Sequence, residues 1–462
     1  MGPLGLDGHG VVDLAVYGIV LVAGRGERLW PLTSTRPKPL LPLPNGDTIL
    51  GRVVRLFRGM VDGFIFVVGY LGDLVRWYVD NILGVPCYYV FQEVQRGTGD
   101  AVRLAFDRLP RGVDLVVVVY GDLMFDHGIV ARVRECIEDG VNCVVGVWRD
   151  DPWNYGVLFV DGRGRLERVV EKPSRELVGD RSLVNAGVYV FRVDGLSSVL
   201  DKLKPSVRGE YELTDALNML ASTGSVKVVG FEGFWTDVGR PWDYLDSVRW
   251  LIESSLRGEQ VVEGEVEPGA RLVGPVYVGR NAVVRSYSVV EGPAWIEGEV
   301  GPLTHVRSGT FVASKAKLGA FTQVKSSIVL EDARASHLNY VGDSIVGEKA
   351  NLGAGTVTAN LRFDRKPVKT VLKGELVSTG RVKFGSVIGG YASLGINVSI
   401  LPGRKVGAWS WVYPGIVVDR DVPDCSYLRP SEAGKPAIVE RDDREVCNPI
   451  KAYKELIASL RE

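Results

Sequence analysis

Arg28 and Lys38 bracket the stretch of this chain best suited to chemistry. Arg28 stands in the run Leu21-Val22-Ala23-Gly24-Arg25-Gly26-Glu27-Arg28-Leu29-Trp30-Pro31-Leu32-Thr33, and Lys38 lies between Pro37 and Pro39. Gly24 and Gly26 let the backbone turn tightly and approach a ligand, and bare amides in such a turn form a concave anion site. Two cations beside it suit the phosphates of a nucleoside triphosphate. The run is not a P-loop, because no Gly-Lys-Ser/Thr follows Gly26, nor a dinucleotide fingerprint, whose third glycine position is Leu29. Further along, Gln92 precedes Gly97-Thr98-Gly99; its amide donates and accepts together, as a pyrimidine edge requires. Asp122, at the end of Tyr120-Gly121-Asp122, is a hard oxygen ligand suited to triphosphate-bound Mg²⁺. Glu171-Lys172-Pro173, Asn185-Ala186-Gly187 and Trp235-Thr236-Asp237-Val238-Gly239 follow in order. In the second half His337 is a candidate general base, the residue type most often used for that role.

These residues need strands that end near one another. Residues 17–22, 65–68 and 115–119 are continuously apolar and read as strands buried on both faces. Residues 87–91 read as a further strand, and 49–60 and 100–109 as intervening helices. The expected fold is a mostly parallel, doubly wound α/β sheet, Rossmann-like, whose ligands bind beyond the carboxyl ends of the strands. Pro241 opens an amphipathic helix expected to run to Ser255. The expected organisation is a tail (1–15), an α/β domain (16–240), a linker helix (241–260), a repeat domain (261–423) and a wrapping tail (424–462) that ends in a helix from Pro449 to Arg461.

Residues 16–245 resemble the sugar-phosphate nucleotidyltransferases, in which Gly-x-Gly-x-Arg is followed by Pro-Lys-Pro. The resemblance implies that Ala23, Gly24, Gly26, Gln92, Gly97 and Thr98 bind the nucleotide. It implies Arg28 and Lys38 at the reacting phosphates, and Asp122 with Asp237 on Mg²⁺. It places Gly156, Glu171 and Asn185 on the sugar and Lys172 on its phosphate. The implied reaction is in-line displacement at the α-phosphorus by a sugar 1-phosphate oxygen, with pyrophosphate leaving. Glu27 departs from the family pattern, which often has Thr there, and a carboxylate beside phosphates has no evident role.

Beyond residue 260 the period becomes six. Leu272, Val278, Val284, Val290 and Ile296 form one aliphatic register and Val300, Val306, Val312, Leu318 and Val324 another. Val346 and Leu352 form a third, and Leu394, Ile400, Val406 and Val412 a fourth. Hexapeptide periodicity builds a parallel β-helix. Residues 336–369 then resemble the acetyltransferase half of the bacterial bifunctional glucosamine-1-phosphate acetyltransferase/uridylyltransferase, and its archaeal sugar-1-phosphate counterparts more closely still. The matching residues are His337, Tyr340, Asn351, Ala354, Asn360 and Lys366, with Arg307 and Lys325 upstream. The resemblance implies a left-handed prism, a homotrimer, and acetyl-CoA as co-substrate. It implies His337 as general base, and amides near Ala354 as the thioester oxyanion site. Arg307, Lys325, Tyr340, Asn351, Asn360, Lys366 and Lys369 would bind the amino-sugar phosphate. His127 and His305 read as surface residues and His9 as part of the tail.

Composition narrows the class. The 462 residues exceed one ordinary domain, and 46% apolar with 24% charged residues is globular. A net charge of −1 supplies no field for nucleic acid or membrane, and no apolar run approaches a membrane span. Five scattered cysteines suggest neither a disulfide framework nor a zinc cluster, so a reducing cytoplasm is the expected location. The leading reading is a bifunctional enzyme that acetylates glucosamine 1-phosphate (or galactosamine 1-phosphate) and couples the product to UTP. Two others stay open. One is a monofunctional glucose-1-phosphate thymidylyltransferase or uridylyltransferase, using dTTP or UTP, with a structural β-helix. The other is a non-enzymatic regulatory or scaffold subunit, against which stand the intact Arg28, Lys38, Asp122, Lys172 and Asp237.

Overall fold

The computed structural model describes residues 14–206, 209–432 and 434–461. The expected N-terminal tail, with His9, lies outside the described residues except for Leu14 and Ala15.

The apolar run Val16–Val22 is the central strand of a nine-stranded sheet. It pairs in parallel with Gly63–Val68 on one side and Leu115–Tyr120 on the other, and Cys87–Phe91 extends the parallel part. Every residue of Gly63–Val68 is buried, as a strand covered on both faces requires. The helices Ile49–Phe57 and Thr98–Phe106 supply part of that cover. The first is capped by Thr48, whose hydroxyl accepts from the Gly51 amide at 2.9 Å.

The sheet is mixed, not mostly parallel as expected. Ser182–Arg192 runs antiparallel to Leu115–Tyr120 and to Asn142–Arg149, and Gly156–Val160 with Leu166–Glu171 forms a hairpin. Parallel neighbours need a crossover of about a dozen residues or more, whereas residues 161–165 alone join the hairpin strands. Apolar continuity reports that a strand is buried and says nothing of its direction.

From Val261 the chain coils into three sheets of short strands, parallel but for one terminal reversal, forming a left-handed parallel β-helix. The six-residue registers point inward: Val278, Val284, Val290, Ile296, Val300, Val306, Val312, Leu318 and Val324 are fully buried. Successive coils stack in register, Val284 on Val300 and Val300 on Leu318. One interval is longer, because Val346 stacks on Ile388. There the residues after Asn360 leave the coil as an excursion carrying the antiparallel pair Lys369–Leu372 and Glu375–Ser378.

One face of the prism is apolar outside as well as inside. Trp295, Phe311, Ile328, Ile345 and Val387 alternate with inward residues on their strands. They are buried in a cluster with Trp242, Tyr244, Leu245 and Val248 of the helix Pro241–Leu256, and with Leu29, Leu32 and Leu41 of the glycine turn's flank. At roughly 1.5–3 kcal/mol per buried large side chain, this contact joins the two halves firmly.

The segment expected as a wrapping tail first continues the coil. Ser426–Arg429 pairs in parallel with Trp411–Val412, then reverses into Ala437–Glu440. The helix Pro449–Arg461 returns to the N-terminal half, where Tyr453 meets Trp77 edge-on with ring centroids 6.3 Å apart. The cysteines also differ from expectation: Cys136 is bonded to Cys143 and Cys425 to Cys447, with Cys87 free. A helix-to-strand turn brings the first pair together, and the chain reversal after Arg429 brings the second; spacing alone reveals neither. No helix among the described residues is long and apolar enough to cross a membrane.

Candidate active sites

Past Val22 the chain turns at once. Gly26 has φ 65°, and a Cβ there would lie 3.0 Å from both Lys38 Cβ and Thr33 Cγ2. Only glycine fits so close to the Pro-Lys-Pro segment in that conformation. Among the described residues, the amides of Gly24 to Arg28 have no acceptor. A cavity of about 280 Å³ lies over this turn, lined by Gly24, Gly26, Arg28, Lys38, Asp122 and Gly239 among others. Ala23 precedes the turn, its carbonyl accepting from the Tyr70 amide at 3.1 Å and from Gln95 Nε2 at 2.7 Å.

Asp122 follows the strand Leu115–Tyr120, and Asp237 ends Trp235–Asp237, which pairs antiparallel with Leu123–Phe125. The Val238 amide donates to the Asp122 carbonyl at 3.0 Å, so the two acids are adjacent across this small ladder. Lys38 forms an ion pair with Asp122, and Arg28 Nη2 lies 3.7 Å from Asp237 Oδ2. Burial raises the Asp237 carboxyl above its ordinary range, with Lys38 and Arg28 pulling it back. Asp122 Oδ1 is buried with no hydrogen-bond partner. An orphaned carboxylate oxygen is unfavourable, and a hard divalent cation would satisfy it. The pair Asp122 and Asp237 therefore fits Mg²⁺, which when bound would neutralise phosphate charge.

Around the sheet's other strand ends stand the residues expected at base and sugar. Gln92 is buried, and its Nε2 donates to the Gly97 carbonyl at 3.1 Å and to Asp100 Oδ2 at 3.0 Å. Both amide hydrogens are thus spent on holding the Gly97 turn. That leaves Oε1 as the polar atom of Gln92 without a hydrogen bond among the described residues. Gly97 has φ 107°, and a Cβ there would sit 2.5 Å from the Tyr211 carbonyl. Thr98 Oγ1 accepts from the Leu213 amide at 3.0 Å. Glu171 stands opposite Gly156 in the hairpin, and a Cβ on Gly156 would meet its carboxylate at 2.8 Å. Asn185 donates to the Tyr189 hydroxyl at 2.7 Å, and Tyr189 lies 3.3 Å from the Tyr120 hydroxyl, whose pKa burial pushes up to about 12. Lys172 adopts the left-handed conformation (φ 44°), anchored by its amide on the Tyr155 carbonyl at 3.0 Å.

The β-helix gathers a second constellation. Arg307 and Lys325 occupy equivalent positions on neighbouring coils of one sheet. Lys325 Nζ lies 3.7 Å from Asp343, and Asn360 donates to both Asp343 and the Tyr340 hydroxyl. Asp343 is the member of this network without a sequence-derived role; its place beside Lys325 appears only when coils stack. His337 is exposed at the corner between two sheets. Its amide donates to Asn339 Oδ1 at 3.1 Å, and buried Asn339 donates to the Gly353 carbonyl at 2.8 Å, tying its turn to the next coil. Ala335 stacks on Leu352, so Ala354 follows one coil above His337. The Ala354 carbonyl accepts from Asn397 at 2.8 Å, while its amide has no acceptor among the described residues. A groove of about 520 Å³ runs from His337 along Ala320, Gly319, Lys317 and Arg334.

Three expected members are less tightly gathered. Asn351 lies on the neighbouring sheet, stacked on Arg334. Lys366 and Lys369 ride on the excursion, and among the described residues no hydrogen bond or ion pair joins either to the Arg307–Lys325 cluster.

Residues 17–253 match the nucleotidyl transferase family. The chain is 37% identical over 405 residues to the bifunctional sugar-1-phosphate nucleotidylyltransferase/acetyltransferase of Sulfurisphaera tokodaii, covering 87% of this chain and 97% of that one. It is 36% identical to the bifunctional protein GlmU of Methanococcus maripaludis, covering 89% of this chain and 96% of that one. The GlmU of Methanocaldococcus jannaschii is 35% identical with the same coverage. With the family model matched over half of the chain and these relatives aligned over nearly their whole length, the chain belongs to the nucleotidyl transferase family, in the branch of bifunctional sugar-1-phosphate nucleotidylyltransferase/acetyltransferases.

Proposed function

We propose that this protein makes a UDP-N-acetyl-hexosamine in two steps. The β-helix half transfers acetyl from acetyl-CoA to the amine of glucosamine 1-phosphate, or of galactosamine 1-phosphate. The α/β half then couples the product to UTP. The supporting observation is the presence of two separate constellations on one chain, each built from the backbone upward: the Arg28–Lys38–Asp122–Asp237 cavity, and His337 beside the free Ala354 amide.

In the first step the amine nitrogen attacks the thioester carbonyl and the carbon–sulfur bond breaks. His337 takes the amine proton and returns one to the leaving thiolate. The Ala354 amide stabilises the developing oxyanion, while Arg307 and Lys325 hold the sugar phosphate. In the second step a phosphate oxygen of the sugar attacks the α-phosphorus and the bond to the β-phosphate breaks, releasing pyrophosphate. The attacking phosphate is already ionised, so Arg28 and Lys38 position and neutralise rather than move protons. Asp122 and Asp237 would hold Mg²⁺. A homotrimer completes the proposal. An exposed apolar ladder of Tyr287, Leu303, Phe321 and Leu338 runs up one corner of the prism and supports it.

Paired assays test this, measuring CoA release with both amino-sugar phosphates and pyrophosphate release with UTP and dTTP. His337→Ala is expected to lower acetyl transfer by about 10²–10⁴-fold, the usual contribution of a general base, and to spare pyrophosphate release. Asp237→Ala is expected to do the reverse. Wild-type protein that releases no CoA from acetyl-CoA with either amino sugar refutes the first activity.

A further inference from the structure

We infer that Lys373, carried by the β-helix half, is a ligand for the part of the nucleoside triphosphate that leaves as pyrophosphate. The inference rests on reading the turn at residues 24–28 as the triphosphate cradle. Lys373 sits at the tip of the excursion's hairpin and lines the same cavity as Gly24, Gly26, Arg28, Lys38 and Asp122.

The tip is held in place. Lys373 and Gly374 are both left-handed, with φ 51° and 83°, giving the tight two-residue turn that suits a twisted hairpin. Lysine has no intrinsic preference for that conformation, so the surrounding structure must impose it. Val368 and Leu372 anchor the strand in the apolar cluster between the halves. The Val371 carbonyl accepts from buried Lys405 Nζ at 2.5 Å.

The charges follow one pattern. Four cations line the cavity, and three of them rest on a carboxylate: Lys38 on Asp122, Arg28 on Asp237, and Lys373 Nζ on Glu27 Oε2 at 3.1 Å, with Arg25 the fourth. Asp122 and Asp237 are the candidate metal ligands, so Mg²⁺ would claim them and free Lys38 and Arg28 for phosphate. Glu27 has no metal to hold. Its pair with Lys373 is half-exposed on both sides (51% and 59%), so water and salt weaken it. A triphosphate carries several negative charges and competes well for that ammonium. This also accounts for Glu27: a carboxylate in a phosphate-binding turn is tolerable because a cation from the other half covers it.

Steady-state kinetics on the full-length protein tests the inference. Lys373→Ala is expected to raise KM for the triphosphate, and for pyrophosphate in the reverse direction, about 10-fold, the loss of one charge-assisted contact. The sugar phosphate KM should stay within about 2-fold, Lys373→Arg should recover most of the loss, and Glu27→Gln should lower the triphosphate KM. If Lys373→Ala leaves both phosphate KM values unchanged while Arg28→Ala raises them, the inference fails and the cradle stands. If Arg28→Ala and Lys38→Ala are also without effect, the cradle reading falls and the inference with it. Equal losses of melting temperature in Lys373→Ala and Glu27→Gln, without kinetic change, would make the pair a mere strap between halves.

Discussion

Replacing Arg36 tests the architecture most directly. Its guanidinium is 2% exposed and donates two hydrogen bonds of 3.1 Å to Glu331, with Glu348 Oε2 at 3.3 Å. Tyr453 of the last helix lies over it at 5.7 Å. Burial alone would lower its basicity, but Glu331 and Glu348 outweigh burial and raise it. One cation from the N-terminal half thus bridges two buried carboxylates of the β-helix. Arg36→Met leaves both carboxylates without a counter-ion, and removing one partner of a buried pair costs about 3–5 kcal/mol. At roughly 2–4 °C per kcal/mol for units of 150–250 residues, the melting temperature should fall by about 10 °C. Removing the whole charged set is far milder, because neutral replacement of a buried ion group is often nearly free of penalty. The triple variant Arg36→Met, Glu331→Gln, Glu348→Gln should therefore regain most of the loss. Scanning calorimetry at fixed pH and salt reads all three proteins. An Arg36→Met melt within about 2 °C of the parent, or a triple variant no more stable than the single, refutes the reasoning.

Two further outcomes are expected. Burial pushes the Lys405 ammonium down to about 8, with Asp421 partly opposing. Its folded pKa lies below the unfolded value of 10.5, so the unfolded chain binds the extra proton between them. Stability should then rise by up to about 3 kcal/mol as pH climbs from 8 to 10.5; Lys405→Met should flatten that slope in chemical denaturation, and an unchanged slope contradicts the assignment. Phe321→Asp with Leu338→Asp should convert a three-chain mass to a single-chain mass in light scattering, and a wild type already at single-chain mass removes the trimer.

Legibility in the sequence followed the range of the interaction. The inward residues of the β-helix could be read because each coil repeats the same local demand, so Val300 and Leu318 announce themselves at a fixed period. The glycine turn was legible because Gly24, Gly26, Arg28 and Lys38 lie within one short stretch. Arg36 was not: nothing nearby distinguishes it from a surface arginine, and its partners come from the other half. Strand direction was invisible because the buried run from Ala186 to Phe191 reads the same whichever way the strand runs. The hairpin that carries Lys373 falls outside the six-residue registers, and its contact with the glycine turn is set only by the fold. The contacts of Gln92 with Gly97 and Asp100 become apparent only once the turn is built.

The Arg36 contact also sets a schedule. Arg36 precedes Glu331 by 295 residues. At about 5–20 residues per second, it waits roughly 15–60 s after its own synthesis for its first carboxylate. For most of that interval Leu29, Leu32 and Leu41 lack the prism face that will cover them. Tyr453 arrives last of all, on the final helix. A ribosome that stalls in the β-helix therefore releases a chain with an open apolar underside and an unpaired guanidinium, a form that chaperones and proteases can tell from the finished protein.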